Sequence, residues 1–491
     1  MRKAGAVQFV SPMWFYRLLP VILVGVAATA AGSEWDRFRG PNGTGIGPDG
    51  ELPVVFGPGR ALIFRTPLPP GHSSPILAGG RVHVTAFEEN EFLTIALDPE
   101  TGEKLWRAVA KRERVTEVDS RNNAASPSVA ATGDGVYAFF PDLGLIGYDG
   151  KGREQWRQPL GPFDNYYGMG ASPILAGDTV VLVLDQNLNS EILGVDRRSG
   201  EVLWRTPRPE ATSGHSTPVL RETADGLEIL APGSFLLTAY GAADGAARWW
   251  VRGLPWEMKS TPLLEGDLVY VNGYGAPVNQ PGNQITPPTF AEALEASDAN
   301  GDGVLARAEA AGHSDFWFDV IDLSSNGLLE AGDWAYYEAV LSSQNGVLAI
   351  RPGAPGEAGD LTEPNTVWSY RRRVPQLPSP LLYGGVLYMV NDGGIVTALD
   401  PSSGRMLSQN RLQGAVDAYY ASPVAADGKI YFVSELGLAA VVRPLDPGEE
   451  SPELDVVQVN PLGEAVYATP AIAPSRLYIR TVEALYAFGP E

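Results

Sequence analysis

Cysteine is absent from the 491 residues of the chain. Its absence excludes disulfide bonds, thiolate metal sites and the diacylglycerol thioether of a bacterial lipoprotein. Histidine is scarce, with 4 residues, and no grouping of serine, histidine and carboxylate has a spacing that indicates hydrolysis. The length of the chain nevertheless allows a large buried core.

Basic residues are outnumbered. The chain has 36 Lys and Arg against 58 Asp and Glu, which gives a formal net charge of −22 at pH 7. An acidic surface repels phosphate backbones, and no dense basic segment offsets this repulsion. We therefore expect no nucleic-acid partner, and we interpret the charge as a source of solubility in an exposed compartment.

Long apolar runs are also few. Residues 18–28 form one, preceded by Arg2, Lys3 and Arg17 and followed by the small residues at 28–30. This order is typical of a secretory signal peptide over residues 1–30. The run is shorter than the ~20 residues of a spanning helix, although an uncleaved anchor is the alternative. We predict a periplasmic or secreted protein with no membrane span after cleavage.

Helical periodicity is weak along most of the chain, whereas turn residues are abundant, with 56 Gly and 41 Pro. One hairpin pattern recurs: a Gly closes the turn and a Trp four residues later begins the next strand. The pairs are Gly102 and Trp106, Gly152 and Trp156, Gly200 and Trp204, and Gly245 and Trp249. A further copy at Gly404 has Ser408 in place of the tryptophan. Such a recurring unit indicates a repeat architecture.

A second marker gives the number of units. A Ser/Thr-Pro pair precedes a short β-rich run eight times, with prolines at 75, 127, 173, 218, 262, 380, 423 and 470. The intervals are 43 to 52 residues, except for one of 118 that must contain an insertion. Each unit has room for about four strands. The sequence therefore predicts an all-β fold, an eight-bladed β-propeller.

The two chain ends indicate how the ring closes. Residues 62–67 (LIFRTP) repeat the outer-strand pattern of 202–207 (VLWRTP), and the last unit ends without an outer strand of its own. We predict that the N-terminal strand completes the last blade, which removes two exposed strand edges. The propeller then spans 61–491.

Residues 31–60 form a turn-rich arm before this strand. Its segment 35–45 contains glycines and arginines, which could suggest phosphate binding, but no strand leads into it and no helix follows. We expect the arm to pack over the propeller surface.

The long interval contains an insertion at 274–345, within blade five, that includes a specific motif. A twelve-residue loop runs from Asp298 to Glu309, with Asn300, Asp302 and Val304 between them at positions 3, 5 and 7. Side-chain oxygens at positions 1, 3, 5 and 12, a carbonyl at 7 and Gly at 6 are the requirements of an EF-hand, and residues 290–294 read as its entering helix. The sequence predicts a Ca²⁺ site in a small α-helical insertion.

A second loop begins 24 residues later. Its ligand positions hold Asp322, Ser324, Asn326, Leu328 and Asp333. The serine and the shorter aspartate at position 12 predict weaker binding than in the first loop. Equally, the loop could serve to pair its strand at Leu329 with the strand at Leu305.

With these motifs in view, the chain resembles the family of pyrroloquinoline-quinone-like (PQQ-like) eight-bladed β-propellers. The resemblance rests on the hairpins and covers nearly everything after the signal peptide. It implies that the hairpin tryptophans dock neighbouring blades. The segment 35–45 also resembles the N-terminal signature of secreted bacterial members, some of which carry EF-hand insertions.

The family has two functional branches. Some members are quinone-dependent dehydrogenases of alcohols or sugars, with a calcium site, a catalytic Asp and often a vicinal disulfide at the quinone. Other members bind partners without a quinone. Here the disulfide is impossible and no region matches the quinone site. We therefore expect a binding or protein-interaction scaffold with no assigned catalytic residue; PQQ is possible but not favoured.

The family topology implies one mouth of the central channel. The segments just before the Ser/Thr-Pro pairs would line it: His72, Asn122, Asn123, Tyr166, Tyr167, His215, Lys259, Arg371, Arg372, Arg373, Tyr419 and Tyr420. These residues could hold an anionic small molecule or a peptide. Alternatively they satisfy buried backbone groups and pack the rim, which is the interpretation we favour.

Overall fold

The computed structural model of the protein describes Met1 and residues 35–116, 118–310, 315–449 and 452–490. The predicted signal peptide over residues 1–30 lies outside the described residues, apart from Met1. All elements below belong to the compact unit Ser33–Glu491. Within the described residues, no helix is both long enough and apolar enough to cross a membrane.

Eight antiparallel sheets, numbered here as blades one to eight, make up most of the described chain. In each blade, four strands lie side by side in sequence order, and blade eight takes its fourth strand from the start of the chain. The first strands of neighbouring blades contact one another, so they line a central channel and the fourth strands lie at the rim. The predicted all-β, eight-bladed propeller is confirmed.

The strands of blades one to four, from the channel outwards, are Ile76–Ala78, Arg81–Glu88, Glu91–Leu97 and Lys104–Lys111; Ala130–Ala131, Gly135–Phe140, Gly144–Asp149 and Glu154–Pro159; Ile174–Ala176, Thr179–Leu184, Glu191–Asp196 and Val202–Pro207; and Val219–Thr223, Gly226–Gly233, Leu236–Gly241 and Ala247–Arg252. Those of blades five to eight are Leu263–Glu265, Leu268–Gly273, Gly346–Ile350 and Thr366–Tyr370; Leu381–Tyr383, Val386–Asn391, Ile395–Leu399 and Met406–Arg411; Val424–Ala426, Lys429–Val433, Leu438–Arg443 and Asp455–Pro461; and Ala471–Ala473, Arg476–Arg480, Ala484–Phe488 and Leu62–Pro67. A short strand, Gly359–Asp360, runs parallel to the outer strand of blade four.

The hairpin tryptophans dock neighbouring blades, as the family resemblance implies. The Trp106 indole of blade one lies against the Gly152 turn of blade two and donates from Nε1 to the Gly150 carbonyl at 3.2 Å. A Cβ at Gly152 would lie 2.5 Å from the ring, so only glycine allows this contact. The same contact joins Trp156 to Gly200, Trp204 to Gly245, and Trp368 to Gly404. In blade eight, Phe64 takes this role against Gly102.

A belt of hydrogen bonds around the channel explains the Ser/Thr-Pro marker. The amide at this position donates to the hydroxyl at the same position in the next blade, and Ser74 to Ser128, at 2.9 Å, is one such bond. The other bonds of the belt, at 2.9 to 3.0 Å, run from Ser128 to Ser172, Ser172 to Thr217, Thr261 to Ser379, Ser379 to Ser422, Ser422 to Thr469 and Thr469 to Ser74. In these seven bonds the hydroxyl satisfies a buried amide that lacks a strand partner. The belt is open between blades four and five, where the buried Thr261 hydroxyl has no partner among the described residues.

Blade two departs from the predicted alignment. Its belt residue is Ser128, whereas the Ser126-Pro127 pair found in the sequence lies two residues earlier. The offset arises because blade two has serines at both positions and only the first of them is followed by proline.

The arm does not pack over the outer surface of the propeller, as the sequence led us to expect. It lies in the channel, where Trp35 and Arg39 are 1 % and 0 % exposed. The Trp35 carbonyl accepts from Leu77 of blade one at 2.8 Å, and Arg39 Nη2 donates to the Pro380 carbonyl of blade six at 2.7 Å. Hydrogen bonds also join it to blades two, three, four and seven, at Ala131, Leu175, Leu220 and Ala425.

The arm then leaves the channel between blades seven and eight. Phe56 donates its amide to Asn460 Oδ1 of blade seven at 3.1 Å, and its ring centroid lies 4.8 Å from that of Phe488 in blade eight. The strand Leu62–Pro67 follows and pairs antiparallel with Ala484–Phe488, with Arg65 opposite Tyr486. The N-terminal segment thus runs from the centre of the ring to its rim.

Residues 274–345 interrupt blade five between its second and third strands, which still pair directly through Gly273 and Gly346. Its helices are Phe290–Ser297, Asp315–Ile321 and Ala331–Ser342, and a two-residue ladder joins Leu305–Ala306 to Leu328–Leu329. A 3₁₀ turn at Pro277–Asn279 also belongs to the insertion. Outside it, Thr362–Asn365 is helical and Pro41–Gly43 is a 3₁₀ turn.

The insertion shares a core with the ring. Trp256, from the connection between blades four and five, is buried among insertion residues such as Ile321 and Trp334. Its Nε1 donates to Asn279 Oδ1 at 3.2 Å, and Asn279 Nδ2 donates to the Val340 carbonyl at 2.6 Å. The insertion is therefore docked on the propeller by packing as well as by its two chain connections.

Candidate functional site

The strand order decides which loops share a face. Because the four strands of a blade are antiparallel, the connections between blades and those between second and third strands emerge on one face, called here the upper face. The insertion is a second-to-third connection, so it also lies there. A cavity of about 800 Å³ opens on the upper face, and Phe38 of the arm contributes to its lining.

The cavity brings together most of the predicted mouth residues. Its lining includes His72, Asn122, Tyr167, His215, Lys259, Arg373, Tyr419 and Tyr420. Four predicted residues are not among the lining residues: Asn123, Tyr166, Arg371 and Arg372. Tyr166 is 42 % exposed. Eight of the twelve predicted mouth residues therefore line one cavity.

One simple spacing would have found more of the lining. The residue two positions before each belt residue lines the cavity in every blade: His72, Ser126, Gly170, His215, Lys259, Leu377, Tyr420 and Tyr467. Tyr467 was not among the predicted residues, although it stands at the same offset as His72 and Tyr420. Asp119, Arg121, Tyr274 and Asp392 were also missed, and they share no fixed offset from the belt.

A buried charged cluster forms one part of the wall. Glu257 is 2 % exposed, Lys259 Nζ donates to its Oε2, and His215 Nε2 lies 3.8 Å from its Oε1. Burial raises the pKa of Glu257, but the charge of Lys259 and hydrogen bonding outweigh burial and leave the pKa below its ordinary value. Glu257 is therefore an anion that neutralises Lys259. Lys259 also donates to the Tyr274 carbonyl at 3.3 Å.

A second ion pair lies on the wall between blades one and two. Arg121 Nε and Nη2 donate to Asp119 Oδ1 and Oδ2 at 2.7 and 2.9 Å, a bidentate arrangement. The guanidinium carbon also lies 5.4 Å from the centre of the Tyr167 ring. Asn122 donates to the Tyr167 carbonyl at 2.5 Å. It therefore satisfies a backbone group of the rim, which is the alternative role considered for the mouth residues.

Three aromatic rings form another part of the wall, contributed by the connections that lead into blades seven, eight and one. Tyr467 stacks on His72 with ring centroids 4.3 Å apart, and Tyr420 meets Tyr467 edge-on at 4.9 Å. Burial, with a contribution from the charge of Arg480, lowers the pKa of His72 to about 4, so its ring is neutral at pH 7. The Tyr467 hydroxyl donates to Glu435 Oε1 at 2.9 Å.

The first predicted calcium loop follows directly on the helix Phe290–Ser297. Asp298 accepts from the amides of Gly301 and Gly303 at 2.7 and 2.9 Å. Asn300 and Asp302 accept from the amides two residues on, at 2.8 and 3.1 Å. Glu309 reaches back across the loop to the amides of Ala299 and Ala306 at 3.1 and 3.0 Å. The side-chain oxygens of Asp298, Asn300, Asp302 and Glu309 therefore all point towards the backbone of their own loop. Val304 belongs to the same loop.

The second predicted loop repeats this arrangement. Asp322 accepts from the Gly327 amide at 2.8 Å, and Asn326 accepts from the Leu328 amide at 2.8 Å. Asp333 reaches back to the amides of Leu323 and Glu330 at 3.1 and 2.9 Å. Ser324 donates to Asp322 Oδ1 at 3.4 Å.

The two loops pair through Leu305 and Leu329, the pairing expected from the sequence. Among the described residues, no three His, Cys, Asp or Glu side chains are grouped closely enough to hold a metal ion. The predicted calcium ligands also include the Asn300 amide oxygen and the Val304 carbonyl oxygen, which do not belong to those four side-chain types.

Most of the chain matches a known protein family. Residues 58–187 and 188–458 match the family model described as outer membrane protein assembly factor BamB. The chain belongs to this family. The resemblance to PQQ-like propellers found in the sequence is thereby confirmed. No curated protein matches the chain.

Solved structures similar to the BamB-family chain include both branches. The fold matches a europium-containing methanol dehydrogenase with a TM-score of 0.56 and 10 % identity, covering 94 % of this chain and 99 % of that one. BamB from Moraxella catarrhalis matches with a TM-score of 0.49 and 13 % identity, over 83 % and 96 % of the two chains. Quinohemoprotein alcohol dehydrogenase from Comamonas testosteroni gives 0.43 and 13 %, over 94 % and 81 %. These similarities concern the fold.

The quinone of the dehydrogenase branch does not fit the lining of this cavity. Pyrroloquinoline quinone is a flat tricarboxylate, so its site must supply several uncompensated cations or a metal ion. Of the three basic side chains that line the cavity, Lys259 and Arg121 are already paired with Glu257 and Asp119. Arg373 is the third, and a single further cation does not balance three carboxylates. Asp392 adds a further negative charge to the lining. We therefore derive no reaction step through a quinone.

Proposed function

We propose that the protein is a secreted or periplasmic binding scaffold whose partner inserts a group into the upper-face cavity. The cavity itself carries the proposal: at about 800 Å³ it lies within the usual range for ligand sites. Its wall includes the tyrosines Tyr167, Tyr274, Tyr419, Tyr420 and Tyr467. Tyrosine supplies a large contact area at a low cost in conformational entropy, which suits recognition.

Exposed apolar side chains on the upper face support a protein as the partner. Val115, Tyr166, Leu188, Val416 and Leu436 all belong to connections of this face and are 42 % to 70 % exposed. Apolar residues around a cavity are typical of a protein interaction site. The family description, an outer membrane protein assembly factor, is compatible with this role.

A photo-cross-linking experiment tests the scaffold proposal. We expect benzoylphenylalanine in place of Tyr166, on the upper face, to cross-link a partner in the cells that express the protein. The same residue in place of Leu105, on the outer strand of blade one, serves as the control because it is similarly exposed, at 46 %. Equal cross-linking at both positions, or none at Tyr166, would contradict a partner at the upper face.

We further propose that the insertion is a pair of EF-hands that binds Ca²⁺ in its first loop, with ligands Asp298, Asn300, Asp302, Val304 and Glu309. The support is the inward turn of the four side chains and the ladder that joins the loops. The second loop, with Asp322, Ser324, Asn326, Leu328 and Asp333, has the same hydrogen-bond pattern but fewer carboxylates, so we propose weaker binding there.

The alternative function is a PQQ-dependent dehydrogenase of alcohols or sugars. Two of the three cations that line the cavity are already paired with carboxylates, which weighs against it. We expect that titration of the full chain with pyrroloquinoline quinone and Ca²⁺, followed by dye-reduction assays on alcohols and aldoses, gives neither saturable quinone binding nor turnover. Tight quinone binding with turnover would replace the scaffold proposal with the enzyme.

A further inference from the structure

The three rings described above form a continuous aromatic surface inside the cavity. His72, Tyr420 and Tyr467 each stand two residues before a belt residue, so the ring of inner strands fixes their positions. The face of an aromatic ring attracts a cation through its quadrupole. Because the His72 imidazole is neutral, it adds a third face without repelling positive charge.

Carboxylates border this aromatic surface. Glu435 accepts from the Tyr467 hydroxyl at 2.9 Å, and Asp392 Oδ1 accepts from the Tyr419 amide at 2.9 Å. Burial raises the pKa of Tyr420, and the charges of Glu435, Asp392 and Asp119 raise it further while Arg121 opposes them. Because Asp119 and Arg121 are partners of one ion pair, the unbalanced charges that act on the Tyr420 hydroxyl are those of Glu435 and Asp392.

Arg121 is not a cation bound on the faces of His72, Tyr420 and Tyr467. Its charge is matched by the bidentate pair with Asp119, and its guanidinium lies over Tyr167. The charge of Lys259 is likewise matched by Glu257. Arg373, the third basic residue of the lining, belongs to the connection into blade six, whereas the rings come from the connections into blades seven, eight and one. Glu435 and Asp392 border the rings and form no ion pair with a described residue.

We propose that this wall of the cavity, formed by His72, Tyr420, Tyr467 and Asp392 and backed by the hydrogen bond of Tyr467 to Glu435, binds an organic cation, an ammonium or guanidinium group. The inference rests on the proposed function, because it names the chemistry of the group that a partner inserts. Two sources share this chemistry: a lysine or arginine side chain of a protein, and a free small amine. The aromatic faces contact the cation and the carboxylates balance its charge.

Calorimetric titration of the full chain tests the proposal with matched ligands. The probes are N-acetyl-arginine amide, its neutral isostere N-acetyl-citrulline amide, and the blocked pentapeptide Gly-Gly-Arg-Gly-Gly. We expect binding of at least one arginine probe and none of the citrulline probe. Binding of the pentapeptide alone assigns the site to a protein side chain, and binding of both arginine probes assigns it to small amines as well.

Variants connect that binding to the wall. Glu435→Gln is expected to weaken binding by about tenfold, since it removes the charge and keeps the shape. Tyr467→Leu, which removes a ring, is expected to weaken it by roughly threefold to tenfold. Glu103→Gln, an exposed carboxylate on the opposite face, is the matched control and should bind like the unmodified chain. Thermal melting of each variant shows that it is folded.

Two outcomes would overturn the inference: equal affinity for the arginine and citrulline probes, or arginine binding that Glu435→Gln and Tyr467→Leu leave unchanged. A chain that binds none of the probes also overturns it. These outcomes leave the scaffold proposal standing if cross-linking at Tyr166 still captures a partner. Loss of that cross-link contradicts the scaffold instead, so the two failures are distinguishable.

Discussion

A chain that begins at Gly71 is expected to lose most of its folding stability and to aggregate. The deletion removes five buried apolar side chains, Trp35, Leu52, Phe56, Phe64 and Leu68. At about 1.5 to 3 kcal/mol for each, the loss is comparable with the whole stability of a typical domain, about 5 to 15 kcal/mol. It also strips blade eight of its outer strand and exposes the edge of Ala484–Phe488 to other chains.

Two controls separate the causes of that loss. A chain that begins at residue 31 lacks only the predicted signal peptide and should melt like the full chain. A chain that begins at residue 61 keeps the closing strand but lacks the arm, so its melting temperature should fall between the other two. Thermal and urea unfolding of the soluble fractions measure the effect. If the chain from Gly71 melts like the chain from residue 31, the N-terminal segment does not stabilise the ring.

The number of blades was predictable because most blades repeat the same local contacts. A turn glycine must accept a tryptophan from the preceding blade, and a serine or threonine must accept an amide from the blade before it. Both requirements restrict the residue type at single positions with a fixed spacing, so the same residues recur at that spacing in the sequence. In blade two the Ser126-Pro127 pair pointed to the wrong serine, because the belt requires the hydroxyl of Ser128 and does not require a proline.

The path of the arm was not predictable from the sequence. Its contacts are hydrogen bonds from irregular backbone and from Arg37, Arg39 and Asn42 to inner strands as far as 341 residues away. Contacts of that kind have no periodicity and depend on the closed ring already being present. The ion pairs of the cavity were not predictable for a different reason. Glu257 with Lys259 and Asp119 with Arg121 are each two residues apart, a common spacing that does not show that the pairs lie at a cavity.

The sequence indicated where the two loops of the insertion lie, but not how the insertion packs against the propeller. The twelve-residue pattern gave both loop boundaries, since each ligand position has its own chemical requirement. The contact of Tyr336 with Thr212 at 2.7 Å, and the burial of Trp256 in the insertion core, could be found only from the structure. This shared core changes what a loss of calcium should do, because a looser insertion also exposes a tryptophan of the ring.

We expect the first loop to bind Ca²⁺ with a dissociation constant on the order of 10⁻⁴ to 10⁻³ M or tighter, which is the range of extracellular modules. Asp298→Ala and Glu309→Gln should each weaken binding by more than about tenfold, because each removes a charged oxygen ligand. Asp333→Glu supplies the longer carboxylate at position 12 of the second loop and should strengthen binding there. Isothermal titration of the unmodified chain and the three variants measures these changes.

Chelation of calcium should loosen the insertion without unfolding the ring. Gly273 and Gly346, where the chain leaves and re-enters blade five, pair with each other, so the sheet persists when the insertion is disordered. Trp256 and Trp334 are buried in the insertion core, and their fluorescence should therefore change when calcium is removed, while the main thermal transition of the propeller stays. Equal calcium binding by the unmodified chain, Asp298→Ala and Glu309→Gln would refute the site. Loss of the propeller transition on chelation would show that the ion holds the whole ring together.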